Sequence, residues 1–206
     1  MRNNRLGLSR MCNIALFAAI ICVFSPFTVP IGAVPITLSL FVIFLSAVVL
    51  DFPDSAIAVA VYIMLGVFGL PVFSGGRGGF SVIIGPTGGF IVAYIGAVII
   101  VGLLVRLTSV KILKFRWIGY ASAFVFCLFG LVLCYLLGTV WYCVYSKAGF
   151  GEALKICILP FLPFDMIKCI LASYIGIEIR SVLISKGLLQ KKNYKKQKNT
   201  YNNGKK

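Results

Sequence analysis

Histidine is absent from these 206 residues, and only five side chains carry a carboxylate: Asp51, Asp54, Glu152, Asp165 and Glu178. The missing imidazole removes the commonest general base and any HExxH metal-protease pattern. No two carboxylates stand at helical spacing inside an apolar run, and no Ser/Lys arrangement accompanies them. A membrane-embedded enzyme would therefore lack both nucleophile and base, and the chain is read as a non-enzyme. Cysteine occurs seven times, yet never at CxxC spacing. Zinc and iron–sulfur centres need clustered soft ligands, so no metal and no cofactor is expected. The thiols are read as small side chains within apolar runs, with no disulfide framework. The GxxxxGK[ST] phosphate loop is missing too, which excludes ATP hydrolysis by this chain alone. An ion channel requires a polar stripe on several helices, and none is visible.

Charge is scarce as well. Charged residues make up 12% of the chain, against about 25% in soluble domains. Hydrophobic residues make up 60%, and the mean hydropathy is +1.02. Such a chain has too little polar surface to stay dissolved, and it is read as an integral membrane protein. The apolar runs are long, unlike the short alternating strands of a barrel. A helix satisfies its own backbone inside hydrocarbon, so the fold class expected is all-α and polytopic.

A span needs ~20 apolar residues, with a range of about 17–25. That ruler places spans near 8–25, 36–51, 54–70, 88–107, 117–143 and 153–184. They form a single six-helix domain over residues 1–185, followed by a basic tail, 186–206. The second and third spans are short and are parted only by the turn DFPD. An even number of spans leaves both termini on one side. Arg2, Arg5, Arg10, Arg106, Lys111, Lys114, Arg116 and the tail fall there, whereas the other side holds little beyond Arg77, Lys147 and Lys155. The positive-inside tendency makes the first side cytoplasmic, apart from the acidic DFPD turn. The tail supplies much of the net charge of +15. It is read as a solvated end lying near anionic lipid; no folded reader accompanies it, so no nucleic-acid partner is expected.

Three stretches stand out. Ala15 and Ala19 form a small-xxx-small pair that lets another helix approach closely, which suits either packing within the bundle or docking. The run PVFSGGRGGFSVIIGPTGGF at 71–90 is an outer loop rich in glycine, carrying Arg77 and leading into a helix at Pro86. The run PFLPFDMIKCIL at 160–171 sets Asp165 and Lys168 three residues apart, on one helical face, after two prolines that bend or break a helix. Intramembrane charges are costly and face a partner or a cavity. The residues alone leave two readings open: a structural ion pair, or a pocket lined by both groups. Trp141, Tyr142 and Tyr145 cluster near an outer helix end, suiting interface anchors or a pocket wall.

VPITLSLFVIFLSAVVL (34–50), GVFGLPVFSGGRGGFSVIIGPTGGF (66–90) and PFLPFDMIKCILA (160–172) together resemble the biotin-uptake S component (BioY family) of energy-coupling-factor transporters. The resemblance covers about residues 8–185. It implies a six-helix subunit that binds biotin near its outer face. It also implies partners: a transmembrane coupling protein and two cytoplasmic ATPase subunits, in the plasma membrane. The pocket it implies is built from the loop after span three, the following helix and the start of span six. Arg77, Thr87, Gly88, Tyr142, Asp165 and Lys168 are thus the candidate substrate-binding residues, and Ala15 and Ala19 the docking pair. Chemically, a carboxylate accepts a ureido N–H, and a cation meets the valerate carboxylate in a charge-assisted bond. Either Arg77 or Lys168 suits that second role. Asp165 and Lys168 are expected to hold each other in the empty pocket and to part when biotin arrives. Phe90 stands where the family usually has tyrosine, Phe164 replaces a common glycine and is expected to narrow the pocket, and DFPD replaces a basic turn. Another small vitamin is the alternative substrate.

Overall fold

The computed structural model describes residues 2–29, 34–50, 52–114 and 116–186, with the backbone alone for 2–6 and 109–114. Asp51, the tail from 187 and the side chains of Arg2, Arg5, Lys111 and Lys114 therefore lie outside what is described.

The long apolar runs form helices. These are α1 (Arg2–Phe24), α2 (Ser39–Leu50), α3 (Asp54–Val67), α4 (Phe80–Ile84), α5 (Gly88–Lys114), α6 (Arg116–Ser146), α7 (Phe150–Cys157) and α8 (Leu162–Ser185). Helices α1, α5 and α6 are long and apolar enough to cross a bilayer, and α7 with α8 passes the same test as a pair bent by 53°. The shorter α2 and α3, joined by the DFPD turn, complete the six expected segments. The bend falls where Pro160 and Pro163 predicted one, with Pro163 in the first turn of α8.

Two features were not legible in the pattern. A two-stranded antiparallel ribbon, β1 (Thr28–Val29) with β2 (Ile36–Thr37), precedes α2. The loop of 71–90 is also more structured than a plain turn, since it folds a 3₁₀ turn at Ser74–Gly76 and then α4. Gly75 and Gly76 sit at φ +71° and +69°, where a side chain would be strained. Phe73 drives this loop into the bundle. It is fully buried, meets Tyr62 edge-on at 5.6 Å and lies over Gly66, where any Cβ would overlap its ring.

Helix α2 is the axis of the bundle. Eleven of its residues are buried, and it packs against α1, α3, α5 and α8. Its C-terminal carbonyls, which have no partner within the helix, accept from the buried Arg180: Nη1 lies 3.0 Å from Val48 O and 3.3 Å from Val49 O. At the same end Arg106 donates to Phe52 O at 3.3 Å, and Arg10 is ion-paired with Asp54. Basic side chains thus gather around the acidic turn. This end holds the ends of α2 and α8 and the starts of α3 and α6.

Candidate functional site

The opposite end of the bundle holds a cavity of about 60 Å³. The start of α2 lends it Ser39 and Leu40, α3 lends Tyr62, the turn before α5 lends Thr87, and the start of α5 lends Phe90, Ile91 and Tyr94. Cys134 and Tyr135 come from α6, Cys157 from α7, Phe161 from just before α8, and Asp165 and Lys168 from the start of α8. Ser74 and the segment around Thr37 close the rim. Apolar and aromatic walls carrying a few convergent polar groups are what small-molecule sites are built from.

The charged pair lies at the heart of it. Asp165 is 4% exposed and Lys168 8%, and Lys168 Nζ lies 2.7 Å from Asp165 Oδ1. The other oxygen, Oδ2, accepts the phenolic hydrogen of Tyr135 at 2.8 Å. Asp165 stands in the first turn of α8, where the helix dipole favours a negative charge. Taking two charges out of water costs several kcal/mol per ion, and pairing offsets this only when the remaining lone pairs are satisfied. Tyr135 supplies that third contact. Both readings of PFLPFDMIKCIL therefore hold at once, since the pair is closed on itself and also lines a cavity.

Of the candidates read from sequence, Thr87, Asp165 and Lys168 are brought together. Three are not among the lining residues. Arg77 is exposed, and its Nε donates to Ser74 O at 3.1 Å. Gly88 provides close approach, because a Cβ there would overlap the Ile83 carbonyl. Tyr142 is buried one heptad beyond Tyr135 on α6. Its neighbour Trp141 donates Nε1–H to Gly85 O at 2.9 Å, so that indole pins the GPTGG turn to α6. Phe164 is half-exposed and stands outside the cavity wall, which corrects the expectation that it narrows the site. Phe90 does line it, with its ring packed over Gly138. Ala15 and Ala19 are exposed, on the face of α1 turned away from the bundle.

Sequence reasoning missed Tyr62, Tyr94, Ser39 and, above all, Tyr135. The available signal for Tyr135 was a polar-tipped ring deep in an apolar helix, far from the interfacial positions tyrosine prefers. All seven cysteines are free, and four of them are buried.

The site and fold have relatives. The chain is 37% identical over 166 residues to the biotin transporter BioY2 of Lactococcus lactis subsp. cremoris (strain MG1363), covering 81% of this chain and 87% of that protein. It is 34% identical over 179 residues to the biotin transporter BioY of Thermotoga maritima, covering 87% of this chain and 100% of that protein. The solved S component for biotin from an ECF-type ABC transporter superposes with a TM-score of 0.78 at 28% identity, covering 87% of this chain and 94% of that one. The model of the BioY family matches residues 1–185. With the match spanning the whole described bundle, the chain belongs to the BioY family.

Proposed function

We propose that this protein is the biotin-capturing S component of an energy-coupling-factor transporter, a multi-pass membrane subunit rather than an enzyme. The observation that carries the reading is the buried Asp165–Lys168 pair, buttressed by Tyr135 and opening on an aromatic and hydroxyl-lined cavity. Asp165 suits a ureido N–H, and Lys168 suits the valerate carboxylate, each a charge-assisted bond. Phe90, Ile91, Leu40 and Phe161 supply apolar wall for the ring and alkyl chain. Lys168 is favoured over Arg77 for the carboxylate because it lies in the wall while Arg77 faces solvent. Biotin entry then requires the pair to part.

The cavity lies at the end away from the basic cluster of Arg10, Arg106 and Arg180. Positive-inside bias supports cytoplasmic termini and a cavity open to the outside. The chain carries no nucleotide motif, which supports reliance on a transmembrane coupling protein and two ATPase subunits. The outward face of Ala15 and Ala19 suits close helix docking on that coupling protein.

Tritiated biotin binding to purified protein tests the reading, with unlabelled thiamine, riboflavin and pantothenate as competitors. Wild type is expected to retain biotin against all three. Asp165→Asn and Lys168→Ala each weaken binding by roughly tenfold or more, the weight of a charged hydrogen bond. Arg77→Ala stays within about twofold, as exposed charges contribute little. Unchanged binding in both pocket variants overturns the site, and displacement by another vitamin overturns the substrate.

A further inference from the structure

A second concavity lies on the outside of the bundle, between α6 and α8, at the end that also carries the DFPD turn. It is a groove of about 820 Å³. At its mouth Arg116 is ion-paired with Glu178, and the hydroxyl of Tyr120 also donates to Glu178. The Tyr120 ring lies tilted against Tyr174, with centroids 5.2 Å apart, and meets Trp117 edge-on at 6.4 Å.

The groove is amphiphilic along its length. From Arg116 to Phe124 on α6, and from Glu178 back to Ile170 on α8, is eight residues, or ~12 Å of rise. The two helices therefore carry it from a charged, aromatic mouth to an apolar floor deeper in the bilayer. Arg116 engages Glu178 through Nη2 alone. Its Nε and Nη1 make no hydrogen bond to Glu178, and the Tyr120 hydroxyl lies beside the same guanidinium. On Glu178, Oε1 accepts twice and Oε2 once, which leaves a carboxylate oxygen able to accept a further donor.

We propose that this groove is a binding site for a zwitterionic aminophospholipid of the adjacent leaflet. The remaining guanidinium donors meet the phosphodiester, in the bidentate geometry arginine offers phosphate. The primary ammonium meets Glu178 beside the faces of Tyr120 and Tyr174, where a cation is attracted by the rings. An acyl chain lies along Phe124 and Ile170. Charge complementarity selects this occupant: a purely anionic headgroup leaves Glu178 opposed to it, and a choline headgroup has no N–H to donate.

The test is native mass spectrometry of the full chain, released from mixed micelles holding equal phosphatidylethanolamine, phosphatidylglycerol and phosphatidylcholine. A saturable single adduct is expected, with phosphatidylethanolamine retained over the other two by about fivefold. Arg116→Ala removes most of the adduct, and Glu178→Gln erases the headgroup preference while an adduct persists. Ala121→Trp fills the groove from an exposed position, without touching the ion pair, and also removes the adduct. That variant keeps the test valid if loss of either charge harms folding. Equal retention of the three lipids by wild type, or an undiminished adduct in Ala121→Trp, overturns the proposal.

Discussion

Tyr135 and Asp165 stand thirty residues apart in the chain, yet the phenol of one donates to the carboxylate of the other at 2.8 Å. Lys168 holds the second carboxylate oxygen at 2.7 Å, so the charge at the centre of the cavity is gripped from two helices. Removing the Tyr135 donor tests that grip. Tyr135→Phe strands a buried carboxylate oxygen, at a cost of about 1–3 kcal/mol. The variant is expected to unfold several degrees earlier in detergent and to bind biotin more weakly, as read by thermal scanning and isothermal titration. A variant identical to wild type in both measurements removes Tyr135 from the site.

The ion pair separates function from stability when its members are changed together. Breaking a buried pair by removing one partner costs about 3–5 kcal/mol, whereas replacing both by apolar residues is often neutral or stabilising. Asp165→Leu combined with Lys168→Met is therefore expected to melt at or above the wild-type temperature while losing biotin binding. Should the double variant still bind, the charges serve the fold alone.

Phe90 reports on the shape of the wall. Its ring fills the space that a Cβ at Gly138 would need, so Gly138→Ala pushes the ring away from α6. Overpacking of this kind costs about 1–3 kcal/mol. Biotin affinity should fall with it, and the paired change Gly138→Ala with Phe90→Leu should recover part of both losses. No recovery in the pair means that the ring and the glycine are not coupled.

Arg180 is predicted to be structural. It is 2% exposed and caps two carbonyls at the end of α2, each bond to a charged donor contributing about 1.5–3 kcal/mol. Arg180→Met should lower the melting temperature by several degrees. Any protein that remains folded is expected to bind biotin with near wild-type affinity, because the cavity lies at the far end of the bundle.

The outer face of α1 makes a different prediction. Ala15→Leu with Ala19→Leu adds bulk on exposed positions, so stability and biotin binding should hold. Co-purification with a coupling protein should drop, because small residues are what permit close helix approach in lipid. Full recovery of the complex from native membranes counts against docking through this face.

Much of the architecture was readable because lipid imposes simple rules. The apolar runs had to be helices, and Pro160 with Pro163 had to interrupt the last one. Asp165 and Lys168 were conspicuous since an intramembrane charge needs a reason. Tyr135, Tyr62 and Tyr94 were not, for each looks locally like another aromatic in an apolar helix. Arg77 stands differently. Its glycine-rich setting suggested a ligand contact, whereas the turn at Ser74–Gly76 leaves it exposed, bonded to its own loop.

The sequence by itself determined that this chain lives in a membrane, how many apolar segments it has, and that one carries a paired acid and base. Those properties depend on composition and on spacing within one helix. Which residues meet around the pair was decided only by tertiary packing. Six helices and a loop converge there, and no local periodicity records which face of α6 turns toward the start of α8.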